Sequence, residues 1–286
     1  MTRFTQVTIV GVGLMGGSLG MALRARGLAT TVIGVDQNPD TLQRALAIGA
    51  VDQIATSLRA GVRQADLVVF ATPVGVLPAL LQQAAPDIPA HALVTDLGSV
   101  KHRIVEAGSH CFGNRFVGGH PMTGSEQNGV DAARADLFQG APWALVRRNA
   151  FVLEEDPEAA CLAALLRALG ATPVPLQARQ HDRLVALVSH LPHALSFTFA
   201  RTVNEHPEAD VARMLAAGSY RDLTRIAQSD PALWRDIFLD NREALLAALQ
   251  AFSDYLDALR ARIEDCNPDE LWKTLQRARH PARRET

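Results

Sequence analysis

"VTIVGVGLMGGSLGMALRARG", Val7 to Gly27, is the stretch that decides the fold. The β-branched run Val7 to Val10 reads as a buried strand, and Gly11-x-Gly13-x-x-Gly16 follows it without a break. A helical stretch then runs to about Arg26, where Gly27 stops it. Strand, glycine turn and helix in that order are the dinucleotide fingerprint in the context that gives it meaning. Gly11 permits the tight turn, Gly13 lets the backbone approach a pyrophosphate, and Gly16 lets the helix lie close to the strand. The first helical residues, Leu14 and Met15 among them, would offer free N–H groups to the anion. The next strand, "TTVIGVD", ends at Asp36, 20 residues after Gly16. An acid there accepts hydrogen bonds from ribose hydroxyls and repels a 2′-phosphate, so NAD is expected rather than NADP.

The uncharged run Phe4 to Leu23 could be misread as a signal peptide or a membrane span, but Gly11, Gly13, Gly16, Gly17 and Gly20 interrupt it and only Arg3 precedes it. With 286 residues, 48% of them hydrophobic, the chain can build one large core or two modest ones. Lys and Arg total 28 against 30 for Asp and Glu, which gives no electrostatic reason to expect nucleic acid or an anionic membrane. A small molecule is the expected partner. Cys111, Cys161 and Cys266 show neither disulfide nor zinc spacing, which fits a reducing cytoplasm.

Working outward, the alternation continues. Asp66 to Pro73, Ala92 to Lys101 and "RFVGGHP" (Arg115 to Pro121) read as strands, with "PWALVRR" and "ATPVPL" closing the sheet around an alanine-rich helix. Thr72, Ser99 and His120 each follow a strand at its C-terminal edge, the rim where ligands bind in such sheets. From about Ala178 the apolar spacing is helical throughout. We therefore expect an α/β, Rossmann-like, doubly wound, mostly parallel sheet over residues 1–177. An all-helical domain over 178–286 should follow, pairing with a second copy as a homodimer. His190 and His193 flank Leu191-Pro192; no third metal ligand is apparent, so no metal is expected, and Pro192 is expected to kink its helix.

Taken together, "GVGLMGGSLG", "TDLGSVK", "GGHPMTGSE", "HDRLVALVSHLPHALS" and "YRDLTRIAQSDPALW" resemble the prephenate and arogenate dehydrogenase family of tyrosine biosynthesis, from Val7 to about Trp272. Thr123 and Arg221 depart slightly from the family pattern. The resemblance implies oxidation of a cyclohexadienol that carries a carboxylate opposite its hydroxyl, with hydride transfer to NAD and loss of carbon dioxide. It implies His120 as general base, for which a neutral imidazole is suited near pH 7. Ser99 would orient the imidazole and the substrate, or else cap the helix that follows it. Ser125 would contact a substrate carboxylate or keto group, with Glu126 at the mouth of the site. Arg225 would bind the ring carboxylate, Arg221 would add charge on the same face, and His193 would line the pocket, with His190 structural and Trp234 at the pocket edge, at the interface or in the core.

Two other classes fit parts of the pattern. A 3-hydroxy acid dehydrogenase or imine reductase would usually show a catalytic lysine on the helical side, and no lysine lies between Lys101 and Lys273. An NAD-binding sensor would have no need for His120, Ser99 and Arg225 together. The chain ends soon after the helical stretch, so no appended regulatory domain is expected, and any inhibition by tyrosine is expected at the active site. No residue in the sequence announces whether a keto or an amino side chain is preferred.

Overall fold

The computed structural model describes residues 4–124 and 127–279. Chain order is β1 (Phe4–Val10), α1 (Leu14–Ala25), β2 (Ala29–Val35), α2 (Pro39–Ala47), β3 (Gln53–Ile54), α3 (Leu58–Val62), β4 (Leu67–Phe70), α4 (Leu77–Ala84) and β5 (Leu93–Asp96). Then come α5 (His102–Phe112), β6 (Phe116–Pro121), β7 (Pro142–Arg147), α6 (Pro157–Ala168) and β8 (Thr172–Gln177). They form one eight-stranded sheet of order β3-β2-β1-β4-β5-β6-β7-β8. Only β6 and β7 pair antiparallel, and every other neighbouring pair is parallel. The strand order turns back between β1 and β4, which opens the crevice where such sheets hold ligands.

Strands covered on both faces should be apolar throughout. Val7, Ile9 and Val10 of β1 and all of β4 are buried. One apolar cluster joins the sheet to α1 and α6 through Leu19, Leu23, Leu162 and Leu166. The other lies across the sheet against α4 and α5, through Leu77, Leu81, Ile104 and Val105. The expected strands are present. The two-residue β3 was not expected, because it is too short to leave a periodic signature.

Past Gln177 the described residues are helical: α7 (Ala178–Val185), α8 (Leu191–Asn204), α9 (Ala209–Met214), α10 (Gly218–Thr224), α11 (Pro231–Asp240), α12 (Arg242–Glu264) and α13 (Pro268–Arg277). Between α7 and α8 the chain widens into a π turn, Ala186–His190. Pro192 lacks an N–H and crowds the carbonyl a turn earlier, and a wider turn just before it relieves both problems. Trp234 and Ile237 of α11 enter the same cluster as Phe70, Val74 and Leu77, so the helical half shares a core with the sheet. Among the described residues no helix is long and apolar enough to cross a membrane.

Candidate active site

The three glycines of the first turn do three different things. Gly11 has φ +94°, and a Cβ on it would lie 2.7 Å from the Ala71 carbonyl oxygen. At Gly16 a Cβ would lie 1.9 Å from the Gly11 carbonyl oxygen, so α1 can approach the turn only without a side chain there. Around Gly13 nothing lies within 4 Å of the Cβ position, which leaves the backbone open to a ligand. Helix α1 starts with no side-chain cap and no acid in its first turn, so the amides around Leu14 and Met15 face that space with their positive ends uncompensated.

Asp36 stands just past β2. Its Oδ2 accepts the Val12 N–H at 3.0 Å and its Oδ1 accepts the Asn38 N–H at 3.0 Å. The carboxylate is thus fixed against the turn, and each oxygen keeps a lone pair for a ribose hydroxyl. Thr72 follows β4; its Cγ2 lies 3.0 Å from the Cβ position of Gly11. The Thr72 hydroxyl is buried with no hydrogen-bond partner among the described residues. A buried hydroxyl without a partner, an open Gly13 and an uncapped helix all fit a dinucleotide bound across this edge.

Three strands along the same sheet edge, β6 delivers His120. Gly118 and Gly119 precede it because β6 packs closely there: a Cβ on Gly119 would lie 2.4 Å from the Asp96 carbonyl oxygen, and one on Gly118 2.8 Å from Val105. His120 is half-buried, and its Nδ1 lies 2.9 Å from Nε2 of His181. His181 is fully buried, with its Nδ1 2.8 Å from Oδ1 of Asp182. Burial, then the proximity of His181, Lys101 and His190, holds the His120 proton affinity well below the ordinary histidine range. His120 is therefore neutral near pH 7.

Beneath it sits a buried ion pair between Lys101 and Asp96, both fully enclosed. Asp96 also accepts the N–H groups of Gly98 at 2.9 Å and Gly119 at 3.1 Å, which ties the ends of β5 and β6 together. Burial lowers the Lys101 pKa, opposed by Asp96. From α7, Asp182 accepts the Lys101 and His102 N–H groups, each at 2.8 Å, and so caps the start of α5. Burial works against ionisation of Asp182, but the hydrogen bonds from His181 and from those two amides prevail and keep its pKa below the usual value. The helix cap that Ser99 could have supplied thus comes from Asp182, 81 positions beyond the capped Lys101 amide. Ser99 itself is half-buried on the loop after β5, and among the described residues it makes no hydrogen bond to His120.

On the helical side, His193 stacks on Trp234 with ring centroids 3.5 Å apart and donates from Nδ1 to the Ser189 carbonyl at 2.9 Å. Burial, and the nearby positive charge of Arg225, lower its pKa. Arg225 is exposed at the end of α10, and no carboxylate among the described residues pairs with it. Arg221 is exposed one turn earlier, and nothing among the described residues ties it to His193. His190 is buried and accepts from Asn241 Nδ2 at 3.0 Å. Trp234 is both core and stacking surface. Ring contacts thus join His120 of the sheet to His181 of α7, and on the helical side Trp234 touches both His190 and His193.

Ser125 and Glu126 lie outside the described residues. Among the described residues no group of acidic, histidine or cysteine side chains could hold a metal ion. His181, Asp182 and Asn241 were not anticipated from the sequence. The two adjacent residues His181 and Asp182 open the stretch "HDRLVALVSHLPHALS" and are buried in the middle of α7, but nothing in their spacing tied them to His120.

Residues 19–174 match the family model described as prephenate dehydrogenase, nucleotide-binding domain, and residues 177–277 match the prephenate dehydrogenase, dimerization domain. The chain is 32% identical over 278 residues to a prephenate dehydrogenase of Bacillus subtilis, covering 96% of this chain and 74% of that one. It is 33% identical over 290 residues to a cyclohexadienyl dehydrogenase of Zymomonas mobilis, covering 98% and 96%. Among solved structures, prephenate dehydrogenase from A. aeolicus in complex with hydroxyphenyl propionate and NAD+ superposes with a TM-score of 0.87 at 33% identity, over 96% of each chain.

Proposed function

The chain belongs to the prephenate dehydrogenase family, and from that premise we infer which of its residues carry the reaction. The enzyme oxidatively decarboxylates prephenate or arogenate with NAD in tyrosine biosynthesis. Bound NAD supplies the hydride acceptor. The C–H bond at the carbinol carbon breaks with its electron pair, the electrons of the ring-to-carboxylate bond flow into the ring, and carbon dioxide leaves behind a phenol.

His120 accepts the hydrogen bond of the ring hydroxyl as that C–H bond breaks, and this increases electron density at the carbinol carbon. The observation that carries this role is a neutral, hydrogen-bonded imidazole on the sheet edge that also holds the glycine turn and Thr72. Ser99, on the adjoining loop, orients substrate and nicotinamide through its hydroxyl. Gly11, Gly13, Leu14, Met15 and Gly16 cradle the pyrophosphate, Asp36 holds the ribose, and Thr72 donates its free hydroxyl to the cofactor. Arg225 binds the ring carboxylate with its planar fork of donors, with His193 beside it. Arg221 adds charge at the mouth, and Ser125 takes the substrate side chain.

The domains divide between β8 and α7, as 1–177 and 178–286. The second of these pairs with another copy of the chain. Apolar side chains exposed on it support this: Met214 is 84% exposed, and Leu215 and Tyr255 are each 80% exposed. We place the enzyme in the cytoplasm, a reducing compartment that its three free cysteines fit.

The test is NADH formation by purified protein with NAD and prephenate, then with arogenate. Turnover with either is expected, and their ratio fixes the side-chain preference. Absence of turnover with both, while NAD still binds, would overturn the assignment.

A further inference from the structure

Hydrogen positions in the His120, His181, Asp182 chain are forced by elimination. The Asp182 carboxylate is an acceptor only, and it already takes the Lys101 and His102 N–H groups. His181 must therefore carry its proton on Nδ1, the nitrogen 2.8 Å from Asp182. Burial of His181 keeps it neutral, so its Nε2 is left with a lone pair. His120 Nδ1, 2.9 Å away, must then be the donor. A neutral imidazole with hydrogen on Nδ1 has its lone pair on Nε2, the nitrogen that no described residue engages.

We propose that His181 and Asp182 are positioning residues that fix His120 in the Nδ1–H tautomer, with Nε2 as the basic atom, so that the helical half completes a base carried by the sheet. This rests on the reading of His120 as the general base. His181 and Asp182 begin the helical half on α7, whereas His120 ends β6. When His120 takes up positive charge in the reaction, that charge faces the buried carboxylate of Asp182 through one intervening ring. No bond other than N–H changes in the chain. Lys101 and Asp96 form a buried ion pair nearby, and Asp182 is the anion in direct contact with His181. Asn241 braces the arrangement from α12's start, donating to the Asp182 carbonyl at 2.8 Å.

The direct test is two-bond 1H–15N correlation on protein labelled at histidine nitrogens, with H120N used to assign the His120 signals. Wild type is expected to show a protonated Nδ1 and a bare Nε2 at His120 near neutral pH. A protonated Nε2 would overturn the proposal without any need for a second variant to fold. Kinetics supply the other arm. In H181Q the amide oxygen can still accept from His120 and the amide nitrogen can still donate to Asp182, so kcat should stay within about 10-fold of wild type and the tautomer should persist. In H181L the acceptor is gone, and kcat should fall by about 10- to 100-fold with KM for NAD unchanged and the His120 tautomers mixed. If H120N is impaired but H181L keeps both kcat and tautomer, the positioning role alone is wrong. If H120N keeps full kcat, the base assignment itself fails and the proposal falls with it.

Discussion

Asn241 donates through its amide nitrogen to Nδ1 of His190 at 3.0 Å, and the same nitrogen donates to the Asp182 carbonyl at 2.8 Å. An amide NH2 cannot accept, so His190 can keep this bond only while its Nδ1 is unprotonated. Burial lowers its pKa from 6.5 to about 4. The unfolded chain takes up a proton below about pH 6.5 that the folded chain refuses, so stability is fully present above that pH and is lost as pH falls toward 4. One such histidine contributes a slope of up to about 1.4 kcal/mol per pH unit, and His120, His181 and His193 shift in the same direction. Denaturation midpoints measured from pH 7 to pH 4 should fall less steeply for His190→Gln than for wild type. Parallel curves would remove His190 from the acid response.

Gly13 and Gly16 should respond oppositely to alanine. Gly13→Ala meets no protein atom within 4 Å, so folding stability should change by less than about 1 kcal/mol while KM for NAD rises. Gly16→Ala drives a methyl into the Gly11 carbonyl and should lower stability by about 1–3 kcal/mol. Thermal melts and NAD titrations on both variants separate the two effects; equal melting losses would contradict the open space at Gly13.

Asp36→Asn removes the negative charge but keeps one carbonyl oxygen for the Val12 or Asn38 N–H. KM for NAD should rise, and the ratio of NADP to NAD turnover should increase by about 10-fold, since a repulsion worth about 1.4 kcal/mol is that factor. An unchanged ratio would show that cofactor choice is made elsewhere.

Arg225→Ala should raise KM for prephenate by about 10- to 100-fold with kcat less affected, because a charged hydrogen bond is worth about 1.5–3 kcal/mol. A normal KM would place the ring carboxylate on another group. Arg225→Lys should recover only part of the loss, since an ammonium cannot make the two parallel bonds of a guanidinium.

Local spacing carried the sheet and the glycine turn into the sequence, since Gly11, Gly13, Gly16 and Asp36 act within one βαβ unit. The place of His120 was legible because it ends a strand at the rim, and the two glycines before it meet the close packing of β6 on Asp96 and Val105. The partners of His120 were not. His181 and Asp182 lie 61 or more residues downstream, and their meeting with β6 and α5 is a product of docking that no spacing records. The cap on α5, weighed for Ser99 as the alternative to a role in the site, comes from Asp182 on α7 for the same reason.

That borrowed cap bears on how the molecule is made. A chain emerging from the ribosome completes β5 and α5 long before residue 182 appears, so the first turn of α5 begins life with bare amides. The cap on α5 is therefore complete only once α7 has been translated and docked. The β6 strand end that carries His120 likewise meets the residues that hold it only when the helical half has docked.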